Sequence, residues 1–136
     1  MAEQLHITAL VIATWSGSDV HEERIEGDAL SVDAVAAAVT ALDGEERNDV
    51  YLESAGDTTL VVAGGPELCF LYATFDNMVF LIPETGREGD PVELVAGGQV
   101  GIFPADNLVD CETAAAVAAT WARTGELDTR VGWRES

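Results

Sequence analysis

The feature that most restricts how this chain can fold is the shortness of the gaps between its apolar segments from Asp49 to Ile82. Asp49 to Ser54, Thr58 to Ala63, Leu68 to Phe75 and Met78 to Ile82 each carry the β-branched, aromatic and aliphatic residues of a strand. Between them stand only Ala55-Gly56-Asp57, then Gly64-Gly65-Pro66-Glu67, then Asp76-Asn77, all turn formers. A parallel return needs a crossover of about a dozen residues or more, so gaps this short dictate antiparallel neighbours. The segments predict a meander. Alternation assigns the faces: Val50, Leu52 and Ser54 point to one side, Tyr51 and Glu53 to the other. Leu68 to Phe75 is apolar on both sides, which predicts a central strand.

Helices flank this run. Ser31 caps a segment in which Val32, Val35, Ala36, Val39 and Leu42 share a helical face that ends at Asp43-Gly44. Near the C-terminus, Ala114, Val117, Ala118 and Trp121 recur at helical spacing. Asp110 can cap that helix, Glu112 and Arg123 suit the two ends of its dipole, and Gly125 can close it. The tail then runs extended through Arg130, Val131 and Trp133, with the last ring expected in the core. Further strands are predicted at Leu5 to Trp15, which includes His6, at Val92 to Ala96, and at Gln99 to Phe103, with Pro104 as a stop. Asp19 to Asp28 is a solvated loop or an edge strand. The expectation is an α+β fold, residues 1–136 as a single domain, in which a mostly antiparallel sheet carries two helices on one face. The other face is left open.

Charge limits the partners. The chain holds 25 acidic residues against six basic ones, all arginine, for a formal net of -19. Such a surface repels phosphate and anionic lipid, so direct nucleic-acid and membrane binding are not expected and a cationic partner is favoured. A solubility-selected acidic surface is the competing explanation. No run of about 18 apolar residues is present, and MAEQLHITALVIATW has neither a basic start nor a small-residue cleavage site, which predicts a cytoplasmic protein. Cys69 and Cys111, distant in sequence and without a CxxC partner, are read as free thiols.

No catalytic constellation emerges. GxSxG, P-loop, HExxH, zinc and DxDxDG patterns are missing, and Gly64-Gly65 and Gly97-Gly98 read as turns. His6 reads as a packed strand residue, and His21-Glu22-Glu23 as a solvated face without a second ligand cluster. No catalytic residue, cofactor or metal is assigned. Binding remains, with Trp15 and Tyr51 as possible anchors and Tyr72, Phe75, Trp121 and Trp133 assigned to packing.

The segments TTLVVAGGPELCFLYATF, GGQVGIFPADNLVD and TAAAVAATWARTGELDTRVGW together resemble immunity-protein family 1, small cytoplasmic antidotes encoded beside bacterial polymorphic toxins. Leu60, Gly65 and Tyr72 match its mid-chain strands, Phe103-Pro104 its approach to the last helix, and Thr124-Gly125 with Trp133 its ending. Asp128 stands where the family often has proline, a departure expected to loosen the terminal turn. The resemblance implies a non-enzymatic role, the binding of a cognate toxin domain that is often a nuclease or deaminase. The matched residues are scaffold and leave the binding surface unspecified. A nucleic-acid-directed toxin carries a basic surface, which an acidic antidote can cover. The candidate contact set is therefore Trp15, Asp19, Glu22, Glu23, Tyr51, Glu53, Asp57, Asp76 and Glu84, with Glu53 and Asp57 foremost. A small-molecule-binding domain or a carboxylate-based hydrolase is the alternative, and no oligomeric state is implied.

Overall fold

The computed structural model describes residues 5–76 and 78–135, so Asn77 of the expected Asp76-Asn77 turn lies outside the described residues, as does the start of the chain through Gln4. In chain order the elements are β1 (Ala9–Ser16), β2 (Asp19–Ile25), α1 (Val32–Thr40), β3 (Arg47–Ser54), β4 (Thr58–Gly64), β5 (Leu68–Phe75) and β6 (Val79–Glu84). There follow β7 (Val92–Ala96), β8 (Gln99–Phe103), β9 (Leu108–Asp110), α2 (Cys111–Thr124) and β10 (Gly132–Glu135). The main sheet runs β10-β6-β5-β4-β3-β1-β2, with β9 joined to β5, and β7 and β8 form a separate hairpin. Every pairing among the described residues is antiparallel.

The run β3 to β6 has consecutive strands as neighbours, but the sheet departs from a simple meander at both ends. α1 carries the chain from β2 past β1, so that β3 pairs with β1 and leaves β2 as an exposed edge. β4, not β5, is the middle strand. β5 divides one of its sides between two partners, Ala73 to Phe75 facing β6 and Leu68 to Phe70 facing β9. β5 is thus paired along both edges, with Cys69, Leu71 and Ala73 buried on the helix side and Leu68, Phe70 and Tyr72 half-buried on the other. The first strand starts at Ala9 rather than Leu5. His6 is an exposed residue outside the strand, because its backbone N–H donates to the Ala122 carbonyl (2.7 Å) at the end of α2 and the chain joins β3 only from Thr8, whose N–H donates to the Glu53 carbonyl (2.7 Å).

Both helices begin as their side chains dictate. Ser31 accepts from the Ala34 N–H (3.0 Å), and Asp110 accepts from the Thr113 N–H (2.7 Å). Gly125, at φ 72°, closes α2, and a side chain there would strike the His6 ring. Val35 and Val39 of α1 and Val117, Ala118 and Trp121 of α2 join one cluster with Leu10, Val50, Leu52, Leu60, Val62 and Leu71. Trp121 is fully buried, with Phe75 set edge-on to its ring at 5.5 Å. Its indole N–H has no hydrogen-bond partner among the described residues, so area and shape carry that contact.

The opposite face is not open along its whole length. The β7–β8 hairpin covers one end of it, stacking Phe103 on Phe70 (4.7 Å between centroids) and pressing Leu94 towards Gly64. Among the described residues no helix is long and apolar enough to cross a membrane.

The tail is held more firmly than its sequence suggests. Trp133 is half-buried at the core margin, not fully inside it, and its indole donates to the Asp128 carbonyl (3.1 Å). Asp128, expected to loosen this turn, pins it: the buried carboxylate accepts from the Thr120 hydroxyl (2.7 Å), the Arg130 N–H (2.9 Å) and the Arg130 guanidinium (3.0 Å). Burial raises its pKa, but those hydrogen bonds and the charge of Arg130 outweigh burial and hold it below the usual carboxylate value. Asp128→Ala is expected to cost roughly 2 to 3 kcal/mol near neutrality. A depressed folded-state pKa stabilises above the unfolded value of about 3.9 and loses that contribution as pH falls through the folded value. Denaturation of parent and variant should therefore differ at pH 7 and converge well below pH 4; a gap independent of pH would contradict a charged Asp128.

Candidate functional site

On the face away from the helices, strand register builds three rows. The middle row runs Arg24, Val11, Tyr51, Val61, Tyr72 across β2, β1, β3, β4 and β5. Beside it, under the hairpin, lies Glu22, Ala13, Asp49, Ala63, Phe70, and on the other side Ala9, Glu53, Thr59, Thr74, Phe80. Tyr51 and Tyr72 are half-buried and flank Val61, while Phe80 is 46% exposed. Where the hairpin meets the sheet, both tyrosines open into a cleft of about 250 Å³ with Asp49, Phe70, Phe103 and Gly97.

Asp49 organises this face. Its side chain is buried, and its two oxygens accept from the Trp15 indole (2.8 Å) and from the Tyr51 hydroxyl. The neighbouring Asn48, fully buried, donates to the Glu45 carbonyl (2.9 Å) and accepts from the Gly98 N–H (2.9 Å). Gly98, at φ 77°, lies so close to the Trp15 ring that an added Cβ would meet it at 2.5 Å. The hairpin tip is thus seated by one hydrogen bond and one ring contact. Burial and the Asp49 carboxylate both push the Tyr51 phenol up; burial, then the same charge, raises Tyr72. Both therefore stay neutral at physiological pH, as donors and flat apolar surface rather than nucleophiles.

The predicted contact residues separate. Glu22, Tyr51 and Glu53 share the tyrosine face. Trp15 shares it too, but its ring and indole N–H are committed to Gly98 and Asp49. Glu53 pairs with Arg24 (2.9 Å), an exposed contact that moderates its charge. Asp57 and Asp76 occupy adjacent turns at the edge of this face, both at positive φ, 56° and 53°, with Gly56 against the Asp76 carboxylate. Glu23 alternates to the helix side with His21, where a cleft of about 560 Å³ separates β2 from the alanines of α1. Asp19 sits at the β1–β2 tip, and Glu84 lies on the far edge, paired with Arg134 (3.5 Å). A third cleft, of about 280 Å³, is lined there by Glu84, Arg87, Asp110 and Arg130. Among the described residues no three His, Cys, Asp or Glu side chains gather as a metal site.

Asn48 and Asp49 are not singled out by sequence, and Tyr72 is read there as a packing residue. A signal existed for Asp49: it lies two residues from Tyr51 in one strand, hence on its face. Burial was the missing term, because an aspartate in an acidic chain reads as surface. Tyr72 was assigned to packing because both faces of its strand are apolar.

The family model described as Immunity protein Imm1 matches residues 21–135, from β2 through β10. No curated protein matches the chain.

Asp49→Ala leaves two half-buried donors, the Trp15 indole and the Tyr51 hydroxyl, without their acceptor and is expected to cost about 2 to 3 kcal/mol. Gly98→Ala should also destabilise, because it needs both a strained backbone and the space of the Trp15 ring. Urea midpoints for each variant against the parent measure this; unchanged midpoints would show that the hub does not hold the face.

Proposed function

This chain belongs to the Imm1 family of immunity proteins, and on that premise we propose that it neutralises a cognate toxin by laying the Tyr51–Tyr72 face of its sheet against a basic surface of that toxin. The observation that carries the reading is the middle row itself, two half-buried tyrosines held in register around Val61 on rigid strands. Tyrosine supplies large contact area and a polar tip at small entropic cost, which is why it concentrates at interface hot spots. Pre-organisation by Asp49 lowers that cost for Tyr51 further.

In this reading Glu22 and Glu53, with Asp57 and Asp76 at the edge, form the acidic rim that meets the basic surface. Trp15 serves as a support, and Asp19, Glu23 and Glu84 contribute long-range field only. A toxin that acts on nucleic acid, as a nuclease or deaminase, presents such a basic surface where it binds phosphate, and covering it blocks substrate. The antidote then works as one unit in the cytoplasm of the producing cell, by occupancy and without a reaction of its own.

Binding kinetics with the cognate toxin domain test this. Tyr72→Ala should weaken affinity about 30-fold or more, close to the 2 kcal/mol of a hot spot, chiefly through faster dissociation. Glu22→Gln with Glu53→Gln should instead slow association and flatten its decline with salt, since rim charges act on encounter. Tyr72→Ala binding at parental affinity while folded would place recognition elsewhere.

A further inference from the structure

The only two cysteines of the chain, 42 residues apart in sequence, meet in space. Their sulfurs are 2.7 Å apart, closer than a loose contact between neighbouring thiols and longer than the roughly 2.05 Å of a bonded pair. Both are free. We propose that Cys69 and Cys111 are a site of reversible covalent modification, an intramolecular disulfide that ties β5 to the first turn of α2.

The backbone around the pair is fixed on both sides. β9 pairs with β5 in the register Leu68–Asp110 and Cys69–Val109, and the Cys111 N–H donates to the Glu67 carbonyl (3.1 Å). Asp110 anchors the start of α2 immediately beside it. The two Sγ atoms therefore need a small side-chain adjustment to bond, not a movement of the chain. Accessibility is unequal in a useful way: Cys69 is fully buried, whereas Cys111 is half-buried and reachable. Burial keeps the Cys69 thiol protonated. Burial raises Cys111 too, the hydrogen bond from Cys69 offsets only part of that, and the neighbouring Asp110 charge adds to the rise. Cys111 therefore reacts through a minor thiolate fraction and by virtue of its exposure.

The chemistry closes with hydrogen peroxide as oxidant. The Cys111 thiolate attacks one peroxide oxygen, the O–O bond breaks, and the departing hydroxide takes up a proton as water, leaving a sulfenic acid on Cys111. The Cys69 sulfur then attacks the Cys111 sulfur, the S–O bond breaks, and the leaving hydroxide accepts the Cys69 proton as a second water. Two thiols give two electrons to one peroxide, and a dithiol reductant reverses the bond. The enclosed segment carries β6 and the β7–β8 hairpin, so the bond restrains the mount of the hairpin that flanks the tyrosine face. The redox chemistry of the pair does not rest on which face meets the toxin.

The test exposes the purified full-length protein to hydrogen peroxide, blocks remaining thiols with N-ethylmaleimide under denaturing conditions, and maps peptides by mass. The expected result is loss of both alkylation sites together, one Cys69–Cys111 cross-linked peptide at monomer size, and recovery of both thiols with dithiothreitol. The oxidised protein should melt at a higher temperature than the reduced one, because the bond constrains the unfolded chain. Cys111→Ser, at the more exposed position, should abolish both the cross-link and the melting shift. Sulfinic acid on Cys111 without a cross-link, an intermolecular dimer, or two thiols that stay alkylatable after peroxide would each overturn the proposal.

Discussion

A buried carboxylate holds this face of the molecule together. Asp49 takes hydrogen bonds from Trp15 on one strand and Tyr51 on its own strand, while Asn48 beside it takes the backbone of the hairpin tip. A charge out of water is costly unless its lone pairs are satisfied, and here both oxygens are engaged. The arrangement couples three things that would otherwise vary separately: the seat of the β7–β8 hairpin, the angle of the Tyr51 ring and the position of Trp15. Helix packing on the other side supplies the burial that stabilises the sheet, and the hub decides what the outward side presents.

Much of the architecture could be read from residues because local chemistry settled it. The gaps between β3 and β6 were too short for anything but antiparallel pairing, and Ser31, Asp110 and Gly125 mark helix ends by the hydrogen bonds and backbone conformation that they alone make cheaply. Pairing across long separations was not legible. Nothing in Ala9 to Ser16 says that β1 inserts between β3 and β2, and nothing in Leu108 to Asp110 marks a three-residue strand that brings Cys111 to Cys69. Asp128 shows the same limit: in place of proline it is expected to loosen the turn, and only three contacts from Thr120 and Arg130 make it a pin.

The candidate site was legible in part for a related reason. Alternation placed Tyr51 and Glu53 together on one side of β3, which the register confirms. Acidic density along the chain could not separate Glu22 from Glu23, although adjacent residues of a strand face opposite ways and here one lies beside the tyrosines and the other beside α1. Tyr72 joins Tyr51 only through β4, a relation between strands rather than within one. The family match spans nearly all of these elements and fixes the class of partner, while the choice of surface rests on the rows of side chains.

Side-chain footprinting by hydroxyl radicals, with and without the cognate toxin domain, tests that choice most directly, because it reads each ring in place without altering it. In the complex Tyr72, Tyr51 and Phe80 should lose reactivity, while Trp133 at the core margin and Ile102 on the outer side of the hairpin, 75% exposed, keep theirs. Protection confined to Ile102 and its neighbours or to the helix side, with Tyr72 and Phe80 as reactive as in the free protein, would contradict that choice.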